Sequence, residues 1–154
     1  MNDEGVVEID YIFTFMISAM LLTMFTIITS NIIDDFTDRA IEIDASELMD
    51  QIEISIENVV SSALKDPFKT IEVRVEVQQT IRGSTYSFSI ENGKLKLVVS
   101  SGYKETRDLY LGGLNIVTKY TSVDSIYRYI KIVYTPERPL YSEMTGDIIY
   151  LYSE

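Results

Sequence analysis

The chain has 154 residues, enough for one domain, and carries 24 acidic against 13 basic residues for a formal net charge of -11. It holds no Cys, no His and no Trp, which excludes disulfides, thiolate or imidazole metal sites, a Cys nucleophile and a Ser-His-Asp triad. Nucleic acid is disfavoured as a partner, because phosphate contacts need a clustered basic surface.

The charge is unevenly placed. Residues 1–10 contain Asp3, Glu4, Glu8 and Asp10 and no base; residues 11–33 contain no charge; residues 34–66 carry ten acids and two bases; residues 67–154 carry ten acids and eleven bases. Four segments of different character follow: a short acidic segment (1–10), a transmembrane helix (11–33), an acidic amphipathic helix (34–66) and a β domain (67–154).

Tyr11 to Ile33 lacks Gly and Pro as well as charge. A helix over this stretch is about 35 Å long, against a hydrocarbon core of about 30 Å. A cleaved secretory signal would need a basic n-region, a shorter apolar run and a small-residue cleavage site. None of these is present, so the segment reads as a retained anchor. Orientation is poorly encoded, since Arg39 is the one basic residue within about 20 positions of either end. Thr14, Ser18, Thr23, Thr26 and Ser30 either form a polar stripe for helix contacts or bond back to their own helix.

Residues 34–65 also lack Gly and Pro. Ile41, Ala45, Leu48, Ile52, Ile56, Val59 and Ala63 recur at steps of three and four, the spacing of a helical stripe. Met49, Val60 and Leu64 widen it, while Glu42, Asp50, Glu53 and Glu57 fall outside it and read as a solvated face. Asp34, Asp35 and Asp38 lack the sharp turn and ligand spacing of a calcium loop. Pro67 closes the helix, because it disfavours helical backbone at the residue before it. The stripe needs an apolar partner, and Ile41, Leu48, Ile52, Ile56 and Val59 are expected to hold it against the domain that follows.

From Lys69 the period changes to two. Ile71, Val73, Val75 and Val77 alternate with polar residues, as do Tyr86, Phe88 and Ile90, then Leu95, Leu97 and Val99. Asn92-Gly93 between the last two runs is a hairpin signal, since a type I′ turn needs positive φ twice. Further strands are expected at 108–111, 115–120, 126–134 and 147–152, with a turn or an irregular edge at Thr135–Pro139. The predicted fold class is α+β: a long N-terminal helix packed on an antiparallel β-sheet or sandwich. Nine of the eleven tyrosines lie between Tyr103 and Tyr152. Exposed, they could stack on sugars or a protein partner; otherwise they reflect the strand propensity of tyrosine. No Asn-x-Ser/Thr acceptor and no Gly-rich phosphate loop occurs. No cofactor, metal site or catalytic residue is expected.

The run Asp3-Glu4-Gly5-Val6-Val7-Glu8-Ile9-Asp10-Tyr11, leading directly into an apolar helix, resembles the N-terminus of archaeal pilin-like proteins of the wider type IV pilin and archaellin group. The resemblance implies a leader cut between Gly5 and Val6, an anchor helix that packs in a filament core after assembly, and an outward β domain. It also implies assembly contacts by an acid near the mature N-terminus, here Asp10 or Glu8. Where family leaders carry Lys or Arg before the glycine, this chain has Asp3 and Glu4, so an uncleaved single-pass form is the alternative. The function expected is a non-catalytic, membrane-anchored filament subunit or accessory component, whose partners are the membrane and copies of itself or other pilin-like subunits. The alternative is an extracytoplasmic β-domain module that binds an envelope polymer or a protein and forms no filament.

Overall fold

The structure is a computed structural model that describes residues 3–119, 123–124 and 126–153, with side chains from Asp10 onward. One helix, α1, runs Asp3–Lys65. Eight strands follow: β1 (Ile71–Glu76), β2 (Tyr86–Glu91), β3 (Lys94–Val99), β4 (Lys104–Asp108), β5 (Asn115–Thr118), β6 (Val123–Asp124), β7 (Tyr129–Thr135) and β8 (Ile148–Tyr152). The chain divides into two compact units at Arg39 and Ala40, inside α1.

In the first unit every side chain from Asp10 to Arg39 is exposed. None of the apolar side chains among these described residues is buried. The helix stays regular because nothing in it breaks the ladder, and its threonines return their hydroxyls to it. Thr14 Oγ1 donates to the Asp10 carbonyl at 2.8 Å, Thr23 to Ala19 at 2.8 Å, Thr26 to Leu22 at 2.9 Å and Thr29 to Phe25 at 2.8 Å. Such back-bonding removes the cost of placing a hydroxyl in an apolar medium.

The second unit holds the rest of α1 and two four-stranded sheets, ordered β1-β7-β8-β5 and β4-β3-β2-β6. This is the expected α+β architecture. Each sheet turns one face to a shared core. In the first sheet Val73 pairs across to Ile132 and on to Ile149, and Ile71 to Tyr134, Leu151 and Ile116. In the second, Phe88 opposes Leu97 and Tyr86 opposes Val99. The helical stripe closes that core: Ala45, Met49, Ile52, Ile56 and Val59 are fully buried, with Ile41, Leu48, Val60 and Ala63 nearly so. Leu64, which the spacing placed at the stripe's margin, is instead exposed.

β5 of one sheet approaches β2 of the other, leaving β1 and β4 as the outer strands. The helix lies between those two. On one flank Gln51 Nε2 donates to the Glu76 carbonyl of β1 at 3.2 Å; on the other, Arg107 of β4 reaches Ser46, Asp50 and Glu53. Both outer strands are thus engaged by the helix, a standard way of shielding a sheet edge.

The Asn92-Gly93 turn forms as expected, with φ of 52° and 73° and Glu91 opposite Lys94. Three expectations are corrected. The strand placed at 108–111 lies at Lys104–Asp108, because its inward positions are Glu105 and Arg107, which carry no apolar alternation. The run at 126–134 becomes a strand only from Tyr129, and Tyr120, the last residue of the expected 115–120 strand, lies outside the described residues. The pairing is not wholly antiparallel, since β7 and β8 run parallel. A parallel pair needs a crossover of about a dozen residues or more, and residues 136–147 supply it. Gly112 (φ 57°) lets the turn before β5 pass over the helix, where an added Cβ would meet Leu64 Cδ1 at 3.0 Å and Val60 Cγ1 at 3.1 Å.

Candidate functional site

The surface of α1 from Tyr11 to Ile33 is the largest chemical anomaly of the chain. Tyr11, Phe13, Phe15, Met20, Leu22 and Phe25 are each more than three-fifths exposed. A soluble surface rarely shows contiguous apolar area of this extent. A window of 18 residues in this helix reaches a mean hydropathy of 2.1 with none of it buried, so the helix is long and apolar enough to cross a membrane. Asp10 closes the apolar stretch on one side, its side chain exposed and its carbonyl engaged by Thr14. Gly5 and Val6 belong to the α1 backbone, but their surroundings, and those of the Glu8 side chain, lie outside the described residues. On the other side Asp34, Asp35, Asp38 and Arg39 are exposed, beside Phe36 at 71 %. Ile32, Asp35, Phe36 and Arg39 share one exposed face of the helix.

The polar stripe along the apolar helix resolves in favour of back-bonding for Thr14, Thr23 and Thr26, whose hydroxyls are already committed to their own helix. The apolar side chains, more than these threonine hydroxyls, are what this surface offers a partner.

The five residues expected to hold the helix to the sheets, Ile41, Leu48, Ile52, Ile56 and Val59, are all buried in one core. A charged clamp reinforces them, and the sequence reading missed it. Arg107 Nη1 bonds Asp50 and meets Glu53 Oε2 at 3.1 Å, Nε meets Glu105 Oε1 at 2.7 Å, and Nη2 donates to Ser46 Oγ at 2.8 Å. Its side chain is 20 % exposed. The Asp50 hydrogen bond, ahead of those from Glu105 and Glu53, outweighs partial burial and holds the guanidinium's pKa above its ordinary value. Glu53 is therefore half-buried in this contact, while Asp50 reaches Arg107 from the exposed face of the helix. Arg82 Nε makes a second tie, 2.7 Å from Asp44 Oδ2, from a turn in which Arg82 itself has φ 50°. The available signal was a cation, Arg107, at an inward strand position, complementary to the acids of the helix.

The tyrosines are mostly structural. Tyr134 is fully buried and donates to the Pro67 carbonyl at 2.9 Å. Tyr150 and Tyr152 are buried on the outer face of the first sheet, beneath the 136–147 crossover, where Tyr150 Oη meets the Glu143 carbonyl at 3.4 Å and Arg138 lies 5.8 Å from the Tyr152 ring. Tyr110, Tyr129 and Tyr141 are exposed. Tyr86 is buried, its hydroxyl bonded to the Gln78 carbonyl, and burial pushes its pKa up to about 12. Burial, followed by a hydrogen bond to Glu105 at 2.9 Å, does the same for Tyr103, to about 12.

These shifts give a pH prediction. Between about pH 10, where an unfolded tyrosine ionises, and about 12, the unfolded chain releases protons that the folded one retains. Stability is therefore complete below pH 10 and lost as the pH rises through 12. Denaturant midpoints of fragment 35–154 should fall over that window, and less steeply for Tyr86→Phe. An equally steep fall in the variant would remove Tyr86 as the cause.

Among the described residues no group of three Asp or Glu side chains is placed to hold a metal ion. A family profile matches residues 1–111, a span that takes in α1 and β1 to β4. The chain belongs to the DUF7266 family, a family of unknown function. No curated protein and no solved structure matches it. The matched span contains the apolar helix, the buried stripe and Arg107 with its carboxylates, so both surfaces described above fall inside the family's extent.

Proposed function

We propose that the chain is a single-pass, membrane-anchored, non-catalytic structural protein of pilin-like type, a subunit or accessory component of a cell-surface filament with its β domain on the extracytoplasmic side. One observation carries this reading. A single unbroken helix begins as an apolar rod that no described residue buries and continues as the buried spine of a β domain. The first stretch needs lipid or other helices around it. The second secures the β domain to that anchor through the stripe and Arg107. The Asp3–Tyr11 run supports the same reading by its resemblance to pilin-like N-termini.

Shearing intact cells tests it. The chain is expected in the sheared filament fraction. Retention in washed membranes, with release by detergent alone, would sink the filament reading and leave an anchored extracytoplasmic binding module. Few sheet tyrosines are free to serve such a module, since Tyr86, Tyr134, Tyr150 and Tyr152 are buried.

A further inference from the structure

The outer face of the second sheet carries two cations without a counter-charge. Lys94 and Lys96 of β3 and Lys104 of β4 alternate with inward residues and point away from the core. Lys94 lies 2.9 Å from Asp108. Lys96 and Lys104 enter no ion pair among the described residues. Lys96 stands opposite Thr106 and Lys104 opposite Val98, so the two lysines are diagonal neighbours, about 7–8 Å apart at Cα. Cations so placed repel, and an anion set between them relieves the repulsion. Beside Val98 the face dips into a shallow depression bordered by Ser87, Ser100 and Ile126, the last 71 % exposed, with Asp124 at its margin.

α1 carries the complement on the ridge opposite its buried stripe. Ile43, Glu47, Asp50 and Ile54 follow at steps of four, three and four, and all are exposed. Like Lys96 and Lys104, Glu47 enters no ion pair among the described residues. The two surfaces stand at one level. β4 runs alongside α1 in the same direction, since Arg107 reaches Ser46 and Asp50 while Gly112 lies against Val60 and Leu64. Lys104 and its partner Val98 stand about 10 Å back from Arg107, and Ile43 stands about 10 Å back from Asp50. The next row of the sheet, with Lys96, follows about 7 Å on, and Glu47 follows Ile43 by about 6 Å. We propose that the exposed α1 ridge of one copy docks on the outer face of the second sheet of the copy beside it, with Ile43 over the Val98–Ile126 depression and Glu47 between Lys96 and Lys104. Both surfaces belong to one level of the β-domain unit, so parallel neighbours meet without sliding along the helix. This rests on the self-assembly reading above and names its contact. Ridge and sheet face differ, so the contact is heterologous: each copy added leaves one of each free, and the assembly propagates instead of closing as a two-fold dimer.

The chain has no Cys, so introduced thiols report contacts without background. The full chain with Ile43→Cys and Ser87→Cys, oxidised in the cells that make it, should give an oligomer ladder linked from position 43 of one copy to position 87 of the next. Either substitution alone should leave monomers. Adding Glu47→Lys should cut the ladder about tenfold, as should adding Lys96→Glu with Lys104→Glu, because like charges are then opposed. Copies with Ile43→Cys and Glu47→Lys, produced together with copies carrying Ser87→Cys, Lys96→Glu and Lys104→Glu, should recover the link, which misfolded variants could not do. A ladder that resists both reversals, or single variants that crosslink as well as the double one, reports random collision and overturns the contact. Loss without recovery in the mixture assigns the lysine face to another anionic partner and also overturns it. Formaldehyde treatment of the unaltered chain separates the contact from the assembly reading. A formaldehyde ladder with no disulfide ladder overturns this contact and leaves self-assembly standing, and no ladder with either reagent overturns both.

Discussion

Ile52→Asp is expected to unfold the β domain or bring it close to unfolding. Ile52 is fully buried at the centre of the stripe. Truncating such a side chain costs about 2–5 kcal/mol, and leaving a carboxylate in the same place adds its desolvation. We expect a loss of more than about 4 kcal/mol, a large share of the roughly 5–15 kcal/mol that stabilises a domain. In fragment 35–154 this should lower Tm by more than about 15 °C. Ile54→Asp is the control. Two residues along the same helix, Ile54 is 56 % exposed, and its substitution should change stability by no more than about 0.5 kcal/mol. Equal effects at the two positions would mean that the stripe is not what holds the helix to the sheets.

Arg107→Met is expected to cost about 2–3 kcal/mol. Methionine keeps much of the apolar stem but removes every donor. Asp50, Glu53 and Glu105 then face one another without a cation, on a strand whose inward side has little apolar surface to replace the lost contact. The partial burial of Arg107 predicts that most of the effect survives 1 M salt, in contrast to pairs such as Arg74–Glu72, which are open to solvent. Adding Glu53→Gln and Glu105→Gln to Arg107→Met should recover part of the loss. Chemical denaturation of the wild type, Arg107→Met and the triple variant decides it: no recovery in the triple variant would show that packing of the arginine stem, not charge, is what β4 loses.

Periodicity made the helix, its buried stripe and the Asn92-Gly93 hairpin legible, because each is a local pattern tied directly to backbone geometry. Ile41 to Ala63 needed only the 3.6-residue period, and Asn92 and Gly93 needed only their tolerance of positive φ. β4 was displaced because period-two reasoning looks for apolar residues, while its inward side is Glu105 and Arg107. The α1 partners of Arg107 lie more than 50 residues away, a relation that no window along the chain contains. The burial of Tyr150 and Tyr152 was hidden for a similar reason. On an ordinary half-exposed sheet their parity would face water, and here the 136–147 crossover covers it. The irregular stretch expected after β7 opens that crossover, since Pro136 and Pro139 mark a break in the chain without saying in which direction it resumes.

The place of β8 in its sheet has a consequence for biogenesis. β8 is an inner strand, parallel to β7 on one side and antiparallel to β5 on the other. β5 ends at Thr118 and β8 begins at Ile148, so β5 has no ladder partner in that sheet until some 30 further residues have emerged. Vectorial delivery of the chain, from ribosome or translocon, therefore cannot complete the domain piece by piece. The hairpin of β2 and β3 can close early, whereas the first sheet assembles in a late step when β8 inserts between strands already delivered. During that interval Ile116, Ile130 and Ile132 are uncovered, and a chain stalled before Ile148 would present an adhesive half-sheet to its neighbours and to quality-control proteases.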